Sequence, residues 1–63
     1  MEGMFIETDG GARTPLPVTP QGQPLLPSKG DIVFKNGKRF EVVAVEWDLD
    51  GLFVDVYGKR VLG

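Results

Sequence analysis

Four carboxylates in the second half of the chain come closest to a chemical signature. Glu46, Asp48 and Asp50 alternate along the sequence, and Asp55 follows after a predicted turn. Carboxylate oxygens are the ligands that Ca²⁺ and Mg²⁺ prefer, and the Asp-x-Asp-Gly fragment also occurs in the middle of an EF-hand loop. The flanking helices and the late bidentate glutamate of such a loop are missing, so we interpret the cluster as an acidic β-turn and predict no metal site.

Few residues of the types that commonly act in catalysis are present in this sequence. The 63 residues include no histidine and no cysteine, so the usual zinc ligands, the usual general base at neutral pH and a thiolate nucleophile are missing. Paired carboxylates serve glycosidases only inside a cleft around a sugar, and a chain of this size buries only about 60% of the surface that its unfolded form exposes. We therefore predict a non-enzymatic protein without a cofactor.

Basic residues form a second candidate site. They lie around the first predicted turn and after the last predicted strand: Lys35, Lys38, Arg39, Lys59 and Arg60. If Phe40, Phe53 or Tyr57 were exposed beside them, bases could stack on the rings while phosphates paired with the cations, as in barrels that bind single-stranded nucleic acid. The net charge of −2 disfavours nucleic acid. We therefore keep a KOW-, Tudor- or OB-like nucleic-acid-binding barrel as the alternative and interpret the lysines as guards of exposed strand edges.

The N-terminal half predicts one short strand, Met4 to Thr8, followed by an arm that holds all five prolines. Pro17-Val18-Thr19-Pro20 and Pro24-Leu25-Leu26-Pro27 both match PxxP, the spacing with which a polyproline-II helix presents two prolines to an aromatic groove. Arg13 is a candidate flanking cation. A chain this short needs its leucines for its own core, so we favour an arm that covers the barrel over a free ligand.

Three β-strands in the second half must position these residues, and the first two meet at Asn36-Gly37, a strong hairpin signal between apolar runs. Two registers are open. A two-residue loop would pair Phe34 with Arg39, setting an apolar side chain opposite a charge. A three-residue loop with Gly37 in a bulge pairs Ile32 with Phe40 and collects the apolar side chains on one face, so we predict this second register.

The second hairpin predicts a four-residue loop from Asp48 to Gly51, with Trp47 opposite Leu52 and Val45 opposite Val54. Val45 and Trp47 then lie on the face opposite Phe40, so the middle strand is buried on both sides or bends between two layers. One small flat sheet cannot cover two apolar faces. We predict an all-β, small SH3-like barrel or strongly bent antiparallel meander, with residues 1–28 as strand and arm and residues 29–63 as barrel core of a single domain.

One sequence pattern spans the predicted barrel: Gly30-Asp31-Ile32-Val33, then Asn36 to Val45, then Trp47-Asp48 and Val54-Asp55-Val56. It resembles the barrel portion of tailed-phage head-closure, or head-to-tail joining, proteins. These are SH3-like or related barrels that assemble as rings between connector and tail. The resemblance implies a small barrel with a non-enzymatic assembly role, in which the matching Asp31, Gly37, Phe40 and Val42 are structural.

We therefore expect a phage-encoded protein-interaction or assembly module that acts in virion assembly or binds and inhibits a host protein. The candidate partner-binding residues are Arg13, Pro17, Pro20, Trp47, Asp48, Leu49, Asp50 and Asp55. Carboxylates suit a basic partner surface, whereas Trp47 is either a hot spot or core. Exposed strand edges offer a route to a homo-oligomer. No apolar run reaches the roughly 18 residues of a membrane span, so we expect a soluble protein of the host cytoplasm or the virion.

Overall fold

A computed structural model describes residues 1–62 of the chain. Those residues form no helix, and hence none that could cross a membrane. The strands are β1 (Glu2–Glu7), β2 (Arg13–Pro15), β3 (Ile32–Lys35), β4 (Lys38–Asp48) and β5 (Phe53–Arg60). They build one strongly curled sheet, a half-barrel, in the order β2-β1-β5-β4-β3. The prediction of a small, all-β, barrel-like fold is confirmed.

The first hairpin adopts the register that we rejected. Lys35 lies opposite Lys38, which leaves a two-residue loop with φ of 52° at Asn36 and 74° at Gly37. Positive φ at both positions defines the tight turn whose twist matches that of the flanking strands. Val33 therefore faces Phe40, and Phe34 points outward with 69% of its surface exposed. Our prediction was wrong because the positive φ angles of Asn36 and Gly37 fix a two-residue loop, which turns Val33 instead of Phe34 towards the core.

The pairing of the second hairpin differs from the predicted register by two residues, because its four-residue loop runs from Leu49 to Leu52 instead of from Asp48 to Gly51. Trp47 lies opposite Val54, and Asp48 lies opposite Phe53. The ladder shifts again between Val42 and Ala44, so that the residue between them is a β-bulge. The bulge reverses the alternation of side chains, which lets both halves of β4 turn apolar residues towards one face of one sheet. The predicted change of face is therefore wrong: the alternation of apolar residues reverses at the bulge, and Val42 and Val45 lie on the same face of one sheet.

The core lies in the concave face of the half-barrel. Its buried members are Phe5, Leu16, Phe40, Val42, Val54 and Val56. The rings of Phe5 and Phe40 meet edge to face with centroids 5.4 Å apart, an arrangement that aromatic pairs favour. A Cβ atom at Gly58 would collide with the ring of Phe5. Phe5 reaches this place because β1 pairs in parallel with β5, a long-range contact that no local pattern predicts.

The proline-rich segment folds back on itself instead of extending. The amide of Leu25 donates to the carbonyl of Pro17 at 2.8 Å, and Gly22 donates to Thr19 at 2.8 Å. A polyproline-II helix keeps its backbone solvated and has no internal hydrogen bonds. The first PxxP motif is therefore part of a small local ladder, and Leu16, the residue before the motif, is buried in the core cluster.

Candidate functional site

An apolar groove occupies the opening of the half-barrel. The sheet does not close, because β2 and β3 form its two edges. The groove between them has a volume of about 480 Å³, within the range of about 300 to 1,000 Å³ that is usual for binding pockets. It is lined by residues of both edges, of the core and of the arm: Phe5, Thr14, Pro15, Leu16, Pro17, Leu25, Leu26, Pro27, Val33, Phe34 and Lys35.

The groove is open to solvent along a row of large apolar side chains. Leu25 and Leu26 from the arm are exposed, as is Phe34 from β3. The polar side chains in the lining are the hydroxyl of Thr14 and the ammonium group of Lys35. Contiguous exposed apolar surface of this kind marks sites that bind an apolar partner. The arrangement can bury apolar side chains, and it offers very few groups for acid–base chemistry.

One ion pair crosses the opening at the turn end of β3. The Nζ atom of Lys35 lies 2.6 Å from Oε2 of Glu7, at the end of β1, and both side chains are about three-quarters buried. It is the one ion pair within residues 1–62. Lys38 stands directly opposite Lys35 in the hairpin and is exposed. The ion pair connects the edge strand to the opposite side of the groove, and Lys38 remains as an exposed cation at the edge of the groove.

The acidic turn is a local structural device. Oδ1 of Asp48 accepts hydrogen bonds from the backbone amides of Asp50 at 3.0 Å and of Gly51 at 2.9 Å. Aspartate commonly stabilises a turn in this way. Within residues 1–62 no three acidic, histidine or cysteine side chains are placed to share a metal ion. Leu49, at the tip of the turn, is 78% exposed.

The other predicted partner-binding residues are distributed over separate surfaces. Trp47 is half-exposed and borders a second depression at the end of the arm, which adjoins the main groove through Leu26 and Pro27. Pro17 lines the main groove, whereas Pro20 is an exposed residue of the arm's turn. Arg13 and Asp55 both lie near Tyr57, on strands β2 and β5. The structure therefore does not gather the predicted residues into one site.

An acidic cluster surrounds Tyr57 on the sheet. Glu46 lies directly opposite Asp55, and like charges in that position repel one another. Desolvation first, and then the negative charges of Glu46 and Asp55, raise the pKa of the Tyr57 phenol above its ordinary 10.0. Oδ1 of Asp55 is buried with no hydrogen-bond partner among the described residues. This cluster favours the neutral phenol.

The basic residues are not arranged as one charged strip. Lys35 is engaged by Glu7, and Lys59 lies opposite Glu41 in the sheet. Phe40, one of the rings that we considered for base stacking, is buried. The exposed ring is Phe34 instead, with the guanidinium carbon of Arg39 5.4 Å from its centroid.

Sequence reasoning missed the groove because of the first hairpin. The predicted three-residue loop turns Phe34 inward, and the sequence-based prediction places the leucines of the arm in the core. The two-residue Asn-Gly loop was the available signal, since its preferred turn fixes the register that exposes Phe34. Comparison of the chain with protein-family models, with curated proteins and with solved structures gave no match.

Proposed function

We propose that this chain is a non-enzymatic protein-interaction or assembly module that holds an apolar segment of a protein partner in the groove between β2 and β3. The observation that carries the proposal is the open groove itself, with Leu25, Leu26 and Phe34 exposed along it. Removal of apolar surface from water contributes about 25 cal/mol per Å². A partner side chain in this groove gains that free energy from a surface which the chain itself leaves uncovered.

The composition of the groove supports binding over catalysis. Its lining is apolar apart from Thr14 and Lys35, and Lys35 is already paired with Glu7. An active site needs a nucleophile or a general base close to an electrophilic group. Two isolated polar side chains at a solvent-open apolar surface do not supply that arrangement, whereas they do supply the few polar contacts that orient a bound segment.

The resemblance to head-closure proteins supports a phage setting for the partner. In that setting the partner is a virion component during assembly, or a host protein that the module inhibits. Both roles need a small, stable surface and no chemistry. The groove serves either role, and identification of the protein that binds in it would distinguish the two roles.

Photo-crosslinking tests the proposal. A photoreactive residue at Leu25, inside the groove, is compared with one at Gln21, in the exposed turn of the arm. In the cells that produce the chain, we expect the photoreactive residue at position 25 to crosslink to a single protein and the one at position 21 to crosslink to none. The trapped protein, once purified, should bind the wild-type chain and should lose that binding with Leu25→Asp. Equal trapping at both positions, or unchanged binding by Leu25→Asp, contradicts the proposal.

A second candidate function is binding of single-stranded nucleic acid, which the exposed ring of Phe34 beneath Arg39 favours. A base can stack on such a ring while the guanidinium group pairs with a phosphate. Binding of this kind weakens steeply as salt rises. A salt-dependent shift with single-stranded DNA or RNA that Phe34→Ala abolishes would support it, and no binding at low salt excludes it.

A further inference from the structure

We infer that the free edge of β3 pairs with the β3 edge of a second copy of this chain, in antiparallel orientation about a twofold axis at Val33. This goes beyond the groove, because it concerns backbone groups that point away from β4. It also fixes the partner and the register, so it can be tested with the purified protein alone.

The backbone of β3 carries unused hydrogen-bonding groups on its outer side. Residues of an antiparallel strand point their N–H and C=O groups alternately towards one neighbour and then the other. The carbonyl of Asp31 accepts from Val42 of β4 at 2.9 Å, so the groups of Ile32 and Phe34 point outward. Among residues 1–62, no backbone group forms a hydrogen bond with these outward groups of Ile32 and Phe34. Two donors and two acceptors stand ready for another strand.

The opposite edge of the sheet is less suited to pairing. Thr14 and Leu16 alternate towards β1, as shown by the 2.9 Å bond from the amide of Leu16 to Gly3. Arg13 and Pro15 then face outward, and proline has no amide to donate. Proline on an edge strand is a recognised protection against pairing. The sequence protects β2 in this way and leaves the outward positions of β3 free of proline.

The side chains of β3 are complementary to themselves when the strand is reversed. With Val33 opposite Val33 of the other copy, Ile32 pairs with Phe34 and Asp31 pairs with Lys35. The first pair covers two exposed apolar side chains, which are 48% and 69% exposed. The second pair sets opposite charges across from each other, which stabilises a ladder. Within its own chain Lys35 also pairs with Glu7, and Oδ2 of Asp31 accepts a hydrogen bond from the amide of Ser28. A twofold interface contains each of these contacts between the copies twice, because Ile32 of either copy meets Phe34 of the other.

The expected dimer is weak and closed. A four-residue strand is small beside interfaces that bury about 800 Å² on each partner, so we expect the dimer to form only at high protein concentration. Twofold pairing uses the β3 edge of both copies and joins the two five-stranded sheets. No further copy can add at that edge. The expected mass rises with concentration from 6.9 kDa towards twice that value and stops there.

Charge exchange tests the register. Asp31→Lys alone places lysine opposite Lys35, and Lys35→Asp alone places aspartate opposite Asp31, so each variant should dimerise at least tenfold more weakly than the wild type. A mixture of the two variants restores opposite charges in both pairs. Each variant is first shown to be folded by circular dichroism, since Lys35 also pairs with Glu7. Sedimentation of the mixture should then show a heterodimer at a concentration where each variant alone is monomeric.

Two controls separate the edge from the groove. Ile32→Pro removes an outward amide and should abolish the dimer, whereas Ile32→Ala keeps the amide and should weaken it less. Leu25→Asp, which alters the groove, should leave the dimer unchanged. A wild-type chain that stays at 6.9 kDa at millimolar concentration overturns the inference. So does a mixture that fails to associate, or an assembly larger than a dimer. β3 contributes Phe34 and Lys35 to the groove as well, but failure of the dimer would not contradict partner binding at Leu25.

Discussion

Val33 lies directly opposite Phe40 across the first hairpin, and this pair decides which side chains of the edge strand meet the core. Phe40 is buried with 2% of its surface exposed, while the neighbouring Phe34 is 69% exposed. A shift of one residue would exchange the two faces. The outward ring of Phe34 follows from this register, whereas the free edge of β3 follows from its place at the end of the sheet.

Truncation of Phe34 and of Phe40 should affect stability very differently, because the two side chains lie on opposite faces of the hairpin. Phe40→Ala should cost about 3 to 5 kcal/mol of unfolding free energy, because it removes a buried ring that packs on Phe5. Phe34→Ala should change it by less than about 0.5 kcal/mol, as is usual for exposed positions. Urea unfolding of both variants measures the difference, and a similar large loss for both would restore the register that places both rings in the core.

Gly37 is the position where the turn depends most on glycine. Its φ of 74° lies in the left-handed region, which costs other residues about 1 to 2 kcal/mol and a β-branched residue more. Gly37→Val should therefore destabilise the chain strongly. Gly10→Val is the matched control, because a Cβ atom there meets no other atom within 4 Å and its φ is not positive. A Gly37→Val chain as stable as the wild type would be incompatible with this turn.

Gly58 allows β1 to lie against β5. A Cβ atom there would collide with the ring of Phe5, and overpacking of this kind typically costs about 1 to 3 kcal/mol. Gly58→Ala should thus destabilise the chain, and the double variant with Phe5→Leu should lose less than the sum of the two single variants. Thermal unfolding of the four chains measures this coupling. Strict additivity would mean that the two residues do not touch.

Ionisation of Tyr57 should lower the free energy of unfolding at alkaline pH. Desolvation and the neighbouring carboxylates of Glu46 and Asp55 raise its pKa above 10.0 in the folded chain. The folded state thus holds the phenolic proton more tightly than the unfolded state does. That contribution is fully present below pH 10 and is lost as the pH rises through the higher folded pKa.

Phenolate absorbance measures this titration directly. The midpoint should lie above 10.0, and Glu46→Gln should lower it because it removes a neighbouring negative charge. Glu41→Gln is the matched control, since Glu41 faces Lys59 and is not among the groups that shift the Tyr57 pKa. An equal midpoint in the wild-type chain and the Glu46→Gln chain would show that the carboxylate does not act on the phenol.

The parts of the fold that local chemistry encodes were predictable. Asn36-Gly37 marks a hairpin because few dipeptides tolerate two positive φ angles. The reversed alternation of apolar residues along β4 does signal the irregularity at Val43. The bulge itself could not be located from the pattern, because a bulge and a strand shared by two layers give the same reversal. The parallel pairing of β1 with β5 could not be predicted either, since it joins residues about fifty positions apart that no single turn connects.

The candidate site was harder to predict than the strands. Leu16 and Leu25 lie in one proline-rich segment and look alike in sequence, yet Leu16 is buried and Leu25 lines the groove. Which leucine turns inward depends on how far the sheet curls before it ends at β3. That curl is a property of the whole sheet, so residue types alone did not reveal an open groove.

The measurement that tests the central claim most directly is calorimetric titration of the chain with the protein trapped at Leu25. We expect binding with a negative heat-capacity change, the mark of apolar burial. We also expect Leu25→Asp to weaken it at least tenfold, while Leu49→Asp in the exposed acidic turn leaves it within about twofold. If Leu49→Asp abolished binding and Leu25→Asp had no effect, the partner would bind the turn, and the groove would not be the functional site.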